Sequence, residues 1–219
     1  DLASSRNAIS NEALLNLQTK YKESLLLTNM DLSKEIEEEQ IKTLYHHFNT
    51  IDIWFYNAGA YEVMKLDEWD YTHFKTMNDT NYLGVVQLMV ILLPYFKKNG
   101  GKWIWNLSLS SYFGLPYGGG YSAPKAALVN LAESIYPELK KQNINLQIIN
   151  HGFVKTRLTH KNDFEMPELM SPGFCANEIF QRTNKSNRFE IHFPFKLSLF
   201  LNLLKYLPYK ISLYLTGKI

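Results

Sequence analysis

Short apolar runs alternate with longer amphipathic ones along this chain, and no other feature narrows its fold as much. Apolar runs of strand length, separated by segments of helical period, build parallel strands joined by crossover helices. The expected class is therefore α/β, a doubly wound parallel sheet with helices on both faces. Strands are expected near 1–5, 24–30, 51–57, 102–108, 144–150 and 188–193, and helices near 10–20, 33–48, 66–77, 79–98, 121–141 and 172–183. Ser33 and Ser171 stand where N-caps belong. Right-handed crossovers bring the carboxyl ends of the strands to one edge, where ligands bind in such sheets.

A length of 219 residues and an apolar fraction of 46% suit one domain, 1–219, with a substantial core. A net charge of +2 gives no electrostatic case for nucleic acid. The single cysteine, Cys175, cannot form an internal disulfide, and Asp1-Leu2-Ala3-Ser4-Ser5-Arg6 is not a basic-then-apolar signal; a cytoplasmic setting is expected. His46 and His47 are adjacent and face different ways on a helix, and no Cys/His cluster has ligand spacing, so no metal is expected. Trp103 and Trp105 alternate along a strand and read as core.

The chemistry concentrates at Tyr121-Ser122-Ala123-Pro124-Lys125. Residues four apart share a helix face, so the Lys125 ammonium lies within reach of the Tyr121 phenol. A free tyrosine ionises near pH ~10; a positioned cation is expected to lower that value and make Tyr121 an acid/base. The spacing alone is not informative, because Tyr61/Lys65, Tyr71/Lys75, Tyr136/Lys140, Tyr206/Lys210 and Tyr214/Lys218 repeat it. Only the Tyr121 copy follows an apolar strand, 102–108, and a loop ending Gly118-Gly119-Gly120, and precedes a helical run. Ser108 lies thirteen residues before Tyr121; Ser110 and Ser111 are its rivals.

This pattern resembles the short-chain dehydrogenase/reductase family, whose strand, serine, thirteen-residue step and Tyr-x-x-x-Lys match the stretch 106–128. Asp31-Leu32-Ser33, Asn57-Ala58-Gly59, Asn81-Tyr82-Leu83-Gly84 and Gly152-Phe153-Val154-Lys155-Thr156 follow the family's landmarks in order. The resemblance implies a Rossmann-like fold and hydride transfer between NADP(H), or NAD(H), and a carbonyl or alcohol. Tyr121 would be the acid/base and Ser108 would hold the substrate oxygen. Lys125 would also bind the nicotinamide ribose, and Asn81 would hold a water linking Lys125 to solvent. Asp31 would contact the adenine, Asn57, Ala58 and Gly59 would pass their backbone against the cofactor, and Val154 and Thr156 would seat the carboxamide. Arg6, after the first expected strand, would pair with the 2′-phosphate of NADP. The bland readings are a solvent-exposed Arg6, an Asp31 that caps the next helix and an Asn81 that satisfies local backbone.

The family opens with a strand and a Gly-rich turn that seats the pyrophosphate, and this chain has no glycine before Gly59. Residues 1–6 read as the family's second strand. The expectation is thus a Rossmann-like sheet with its first strand and Gly-rich turn absent, about 30 residues short, with an open slot between the strands at 1–5 and 51–57. The competing reading is a cofactor-less fragment or a scaffold kept for a non-catalytic, membrane-associated purpose. Tyr56 replaces a common Asn, and His151 replaces a proline before Gly152, which is expected to loosen that loop.

Residues 155–185 read as the substrate-loop region, and its Met, Phe and Leu content suggests an apolar carbonyl or alcohol. The segment 193–219 is apolar and basic, with Lys196, Lys205, Lys210 and Lys218 and no carboxylate after Glu190. It is too broken to span a bilayer but suits an interfacial helix pair in peripheral membrane contact. The resemblance implies a homodimer or homotetramer.

Overall fold

The computed structural model describes residues 1–218. The chain enters through a regular strand–turn–helix unit: β1 (Leu2–Ser5), a 3-10 turn at Ala8–Ser10 and α1 (Glu12–Tyr21), whose N-cap Asn11 accepts from the Leu14 amide at 3.1 Å. This corrects the expectation of an absent first unit, since the first element pair of the chain is an ordinary one. β2 (Leu26–Asn29) pairs with β1 in parallel. Four more strands, β3 (Ile53–Tyr56), β4 (Gly101–Asn106), β5 (Ile144–His151) and β6 (Glu190–Phe193), form a second parallel ladder in that order. Among the described residues β1 and β3 do not hydrogen-bond, so the sheet is in two parts.

α2 (Glu38–Phe48), α4 (Gly84–Asn99) and α5 (Gly119–Lys141) cover one face of the larger ladder. The alternation of β4 explains the split between faces: Trp103 and Trp105 point into that main core, and Ile104 points to the other face, toward α6 (Pro172–Lys185). The two indoles stack at 6.3 Å between ring centroids, and Trp54 meets them edge-on at 5.1 and 5.9 Å. β5 is buried on both faces through Ile144, Leu146, Ile148 and Ile149, as an inner strand of a parallel sheet must be. On β3, Trp54 and Tyr56 are buried while Ile53 and Phe55 remain exposed.

α3 (Tyr71–Asn78) is capped by Asp70, which accepts from the His73 amide at 3.0 Å, and runs into α4 through a π-helical turn at Asp79–Leu83. Gly84 opens α4 where a Cβ would lie 2.7 Å from the Leu32 carbonyl oxygen and 2.8 Å from the Tyr56 hydroxyl, so only glycine allows this approach. Ser171 caps α6, accepting from the Phe174 amide at 3.2 Å. Ser33 caps nothing. Its amide and hydroxyl donate to Asp31 at 3.1 and 2.7 Å, and the Ile36 amide is taken by Gln87 of α4 at 2.9 Å, so the helix begins only at Glu38. The chain closes with α7 (Phe195–Leu204) and α8 (Tyr209–Thr216).

The core account predicts that Trp103→Ala lowers the unfolding free energy by about 3–5 kcal/mol, whereas Val90→Ala on the exposed side of α4 changes it by less than about 0.5 kcal/mol. Urea denaturation followed by circular dichroism measures both.

Candidate active site

The strand ends deliver the site. Asn57 follows β3, Ser108 lies two residues beyond β4, and Val154 lies shortly after β5, so three loops meet at the carboxyl edge of the larger ladder. They surround a cavity of about 1500 Å3 lined by Asn57, Ala58, Gly59, Ser108, Tyr121, Lys125, Val154 and Thr156. Eight of the residues singled out in the sequence therefore share one space.

Lys125 is almost wholly buried, and its Nζ donates to the Asn106 carbonyl at the end of β4 at 3.0 Å. Burial pushes its pKa down to about 8. Nζ stands 5.8 Å from the centre of the Tyr121 ring. Burial also pushes the Tyr121 phenol up to about 12, with Ser108 pulling it down and Tyr61 pushing it up by less. That direction is opposite to the one expected from the cation four residues along, because loss of solvent around the phenol is the largest influence on it.

Ser108 is set by its neighbour. Its Oγ accepts from the Ser110 amide at 3.2 Å and the Ser110 hydroxyl at 3.0 Å. A hydroxyl has two lone pairs and one hydrogen, so with both lone pairs used Ser108 is left as a donor. Ser111, the other rival, is buried and donates to Asn150 at 3.0 Å.

Asn81 does not line the cavity. It is fully buried in the π-helical turn, where Oδ1 accepts from the Ala60 amide and Nδ2 donates to the Ala60 carbonyl, both at 2.8 Å. It thus clamps the backbone that continues from Asn57-Ala58-Gly59. Tyr56 supports the same turn by donating to the Thr80 carbonyl. Arg6 and Asp31 also lie outside the cavity, at the ends of β1 and β2. Asp31 has its pKa lowered first by the Ser33 hydrogen bond, with Lys34 and Arg6 adding positive charge.

The segment 155–170 folds over the cavity and is tied across it: Tyr61 donates to Asn162 at 2.7 Å, Lys161 binds the Tyr61 carbonyl at 3.1 Å and pairs with Glu62, and Lys65 faces Asp163 at 3.4 Å. Tyr61 packs edge-on to Tyr121 at 5.1 Å. Sequence reasoning missed Asn106, whose only signal is its place two residues before Ser108. It also missed Tyr61, whose Tyr-x-x-x-Lys spacing reads as coincidence. His151 does not loosen its loop: it ends β5 in register with Phe193, and the next amide, of Gly152, donates to the Phe193 carbonyl at 2.9 Å. Its imidazole has a pKa lowered by burial. Among the described residues no group of three His, Cys, Asp or Glu side chains is placed to hold a metal.

Residues 2–166 match the family described as short chain dehydrogenase. The chain belongs to the short-chain dehydrogenase family. It is 30% identical over 152 residues to an uncharacterised oxidoreductase of Staphylococcus epidermidis, the match covering 68% of this chain and 66% of that protein. It is 28% identical over 165 residues to the 11-beta-hydroxysteroid dehydrogenase-like 3 of Arabidopsis thaliana, covering 71% of this chain and 50% of that one. The chain thus spans about half to two thirds of the length of these relatives. Its fold superposes with a TM-score of 0.76 on the alcohol dehydrogenase of the archaeon Thermococcus sibiricus, solved with 5-hydroxy-NADP, at 23% identity and with 88% and 84% of the two chains covered.

Short-chain dehydrogenases imply a nicotinamide dinucleotide, and the cavity residues fit its nicotinamide end. The volume of about 1500 Å3 exceeds the roughly 300–1,000 Å3 of a single small-molecule site, and Asn106 Oδ1 is buried without a protein partner.

Asn81→Ala removes both partners of Ala60 and is expected to cost about 1–3 kcal/mol for each group left unpaired, with faster amide hydrogen exchange at Ala60 as the local readout. Lys125 yields a pH test. Its folded pKa of about 8 lies below the unfolded value of 10.5, so the native state releases its proton first as pH rises. Between pH 7 and 10 the native protein should gain on the order of 2–3 kcal/mol relative to Lys125→Met in urea titrations.

Proposed function

We propose that this chain catalyses reversible hydride transfer between NADP(H) and a carbonyl or alcohol. The observation that carries this reading is the convergence of Ser108, Tyr121 and Lys125 on one cavity with the Asn57–Gly59 backbone and Val154. When bound, the nicotinamide supplies the two-electron hydride equivalent for reduction and accepts it for oxidation. Every other part of the chemistry falls to this chain's own residues.

In reduction, the Ser108 hydroxyl donates to the carbonyl oxygen and steadies the charge that develops there. Tyr121, held as a neutral phenol by its raised pKa, gives its proton to that oxygen as the C–O double bond becomes a single bond. Lys125 returns a proton to Tyr121 and holds the nicotinamide ribose. Asn81 serves the same relay: its amide keeps one donor and one lone pair beyond its two bonds to Ala60. Val154 and Thr156 seat the carboxamide. Arg6 and Asp31 take the adenosine end, Arg6 favouring the 2′-phosphate of NADP over NAD. The NADP analogue carried by the Thermococcus sibiricus fold neighbour is in keeping with that choice.

The substrate is a small carbonyl or alcohol of apolar character, matched to Phe153, Leu158, Phe164, Ile179 and Phe200 on the cavity wall. The working unit is a homodimer or homotetramer in the cytoplasm.

Tyr121→Phe should abolish carbonyl-dependent oxidation of NADPH while leaving NADPH affinity within about twofold, and Ser108→Ala should lower kcat by about 10²–10³. Fluorescence titration with NADPH and NADH, beside turnover, measures this. No nucleotide binding by the folded protein sinks the enzyme reading, and retained turnover in Tyr121→Phe sinks the assignment of the acid.

A further inference from the structure

The last two helices are apolar on their outward side as well as on the side that packs. A helix that packs on a protein buries its apolar stripe and turns its polar side to water. In α7 the outward face is Phe195, Leu199 and Leu203, one above another at steps of four, at 69%, 48% and 52% exposure, while Ser198, Leu201 and Leu204 face inward and are buried. In α8 Ser212 and Thr216 are buried, and Leu213 and Tyr214 stand in solvent at 59% and 63%.

The inward hydroxyls are satisfied where they are. Ser198 pairs with His192, Ser212 donates to the Pro208 carbonyl at 3.2 Å, and Thr216 donates to the Ser212 carbonyl at 3.1 Å. The inward side is therefore settled, and Phe195, Leu199, Leu203, Ile211 and Leu213 leave a large apolar surface for something to cover.

Charge says what covers it. Lys196, Lys205, Lys210 and Lys218 lie along this segment, Lys196 beside the cavity and Lys205 over the Tyr112 ring at 4.5 Å; after Glu190 the sequence has no Asp or Glu, and Glu168 accepts from the Leu197 amide at the start of α7. The exposed tyrosines Tyr206, Tyr209 and Tyr214 have an apolar body and a polar tip, the side chain favoured at a bilayer–water boundary. Among the described residues no helix is long and apolar enough to cross a membrane. We propose that the outward face of α7 and α8 is an interfacial docking surface for an anionic lipid bilayer, the apolar side chains entering the acyl boundary and the lysines meeting the headgroups. The inference stands independently of the hydride-transfer reading. Leu197 and Phe200, on the same α7, line the cavity, so the docked helix is also part of the cavity wall.

The test is co-sedimentation of the full chain with phosphatidylcholine vesicles, with and without phosphatidylserine. The expected result is binding to the phosphatidylserine vesicles that weakens as salt is raised. It should fall about fivefold for each of Lys210→Ala and Lys218→Ala, and more than tenfold for the double variant Leu199→Asn/Leu203→Asn. Circular dichroism checks that each variant keeps its fold. No binding by the folded wild-type chain, or equal binding by the double variant, overturns the proposal. So does a dimer in light scattering that the double variant turns into a monomer, since a second copy would then cover this face.

Discussion

A single buried ammonium organises the centre of this protein. Lys125 is removed from water and must find an acceptor, and the Asn106 carbonyl supplies one because β4 ends at that residue. The next amide, of Leu107, still bonds β5 through the Ile149 carbonyl, so the acceptor sits on a firmly held strand end. That one contact fixes α5 relative to β4. A slip of one residue along α5, about 1.5 Å, would break it, and the same slip would carry Tyr121 away from Ser108.

The opposite wall rests on a different device. The stretch from Asn57 to Ala60 belongs to no strand or helix, and backbone of that kind must be satisfied by other means. Asn81 does this with both ends of its amide, from a turn where the helix departs from its regular hydrogen-bond pattern. A regular α-helix through 71–99 would advance its side chains by a different angle past this point. The departure and the clamp therefore belong together. Tyr56 locks the turn from β3 through its hydroxyl, a reach that a short amide side chain lacks.

The parallel α/β pattern was legible because its periods are local. The expected strand at 144–150 is β5 at Ile144–His151, and the loops at 57, 108 and 154 follow from where strands stop. What was illegible depends on distant contacts. Ser33 reads as a helix cap until Gln87, 51 residues away, takes the Ile36 amide and delays α2 by a turn. The crossing tie between Tyr61 and Asn162 has no sequence signal, because nothing in the spacing of either residue points to the other, 101 residues away. The strand and helix expected at 1–5 and 10–20 are β1 and α1, but the division of the strands into two ladders was readable only through the resemblance.

The direction of the Tyr121 shift shows most clearly what spacing cannot supply. Spacing reports that a cation is near the phenol; it does not report how much water each has lost. Burial drives both groups toward neutrality, the phenol by holding its proton and the lysine by loosening it, so the two effects oppose the simple attraction between ammonium and phenolate. At neutral pH the pair is a phenol beside a lysine that is still charged but only about one pH unit from its midpoint. Such a pair is poised to donate a proton. On the proposed reading it reduces a carbonyl with no prior adjustment, whereas alcohol oxidation requires added positive charge to draw the phenol down. The oxidised nicotinamide ring would bring that charge, so Tyr121 would become a base only in the complex that has a hydride to accept.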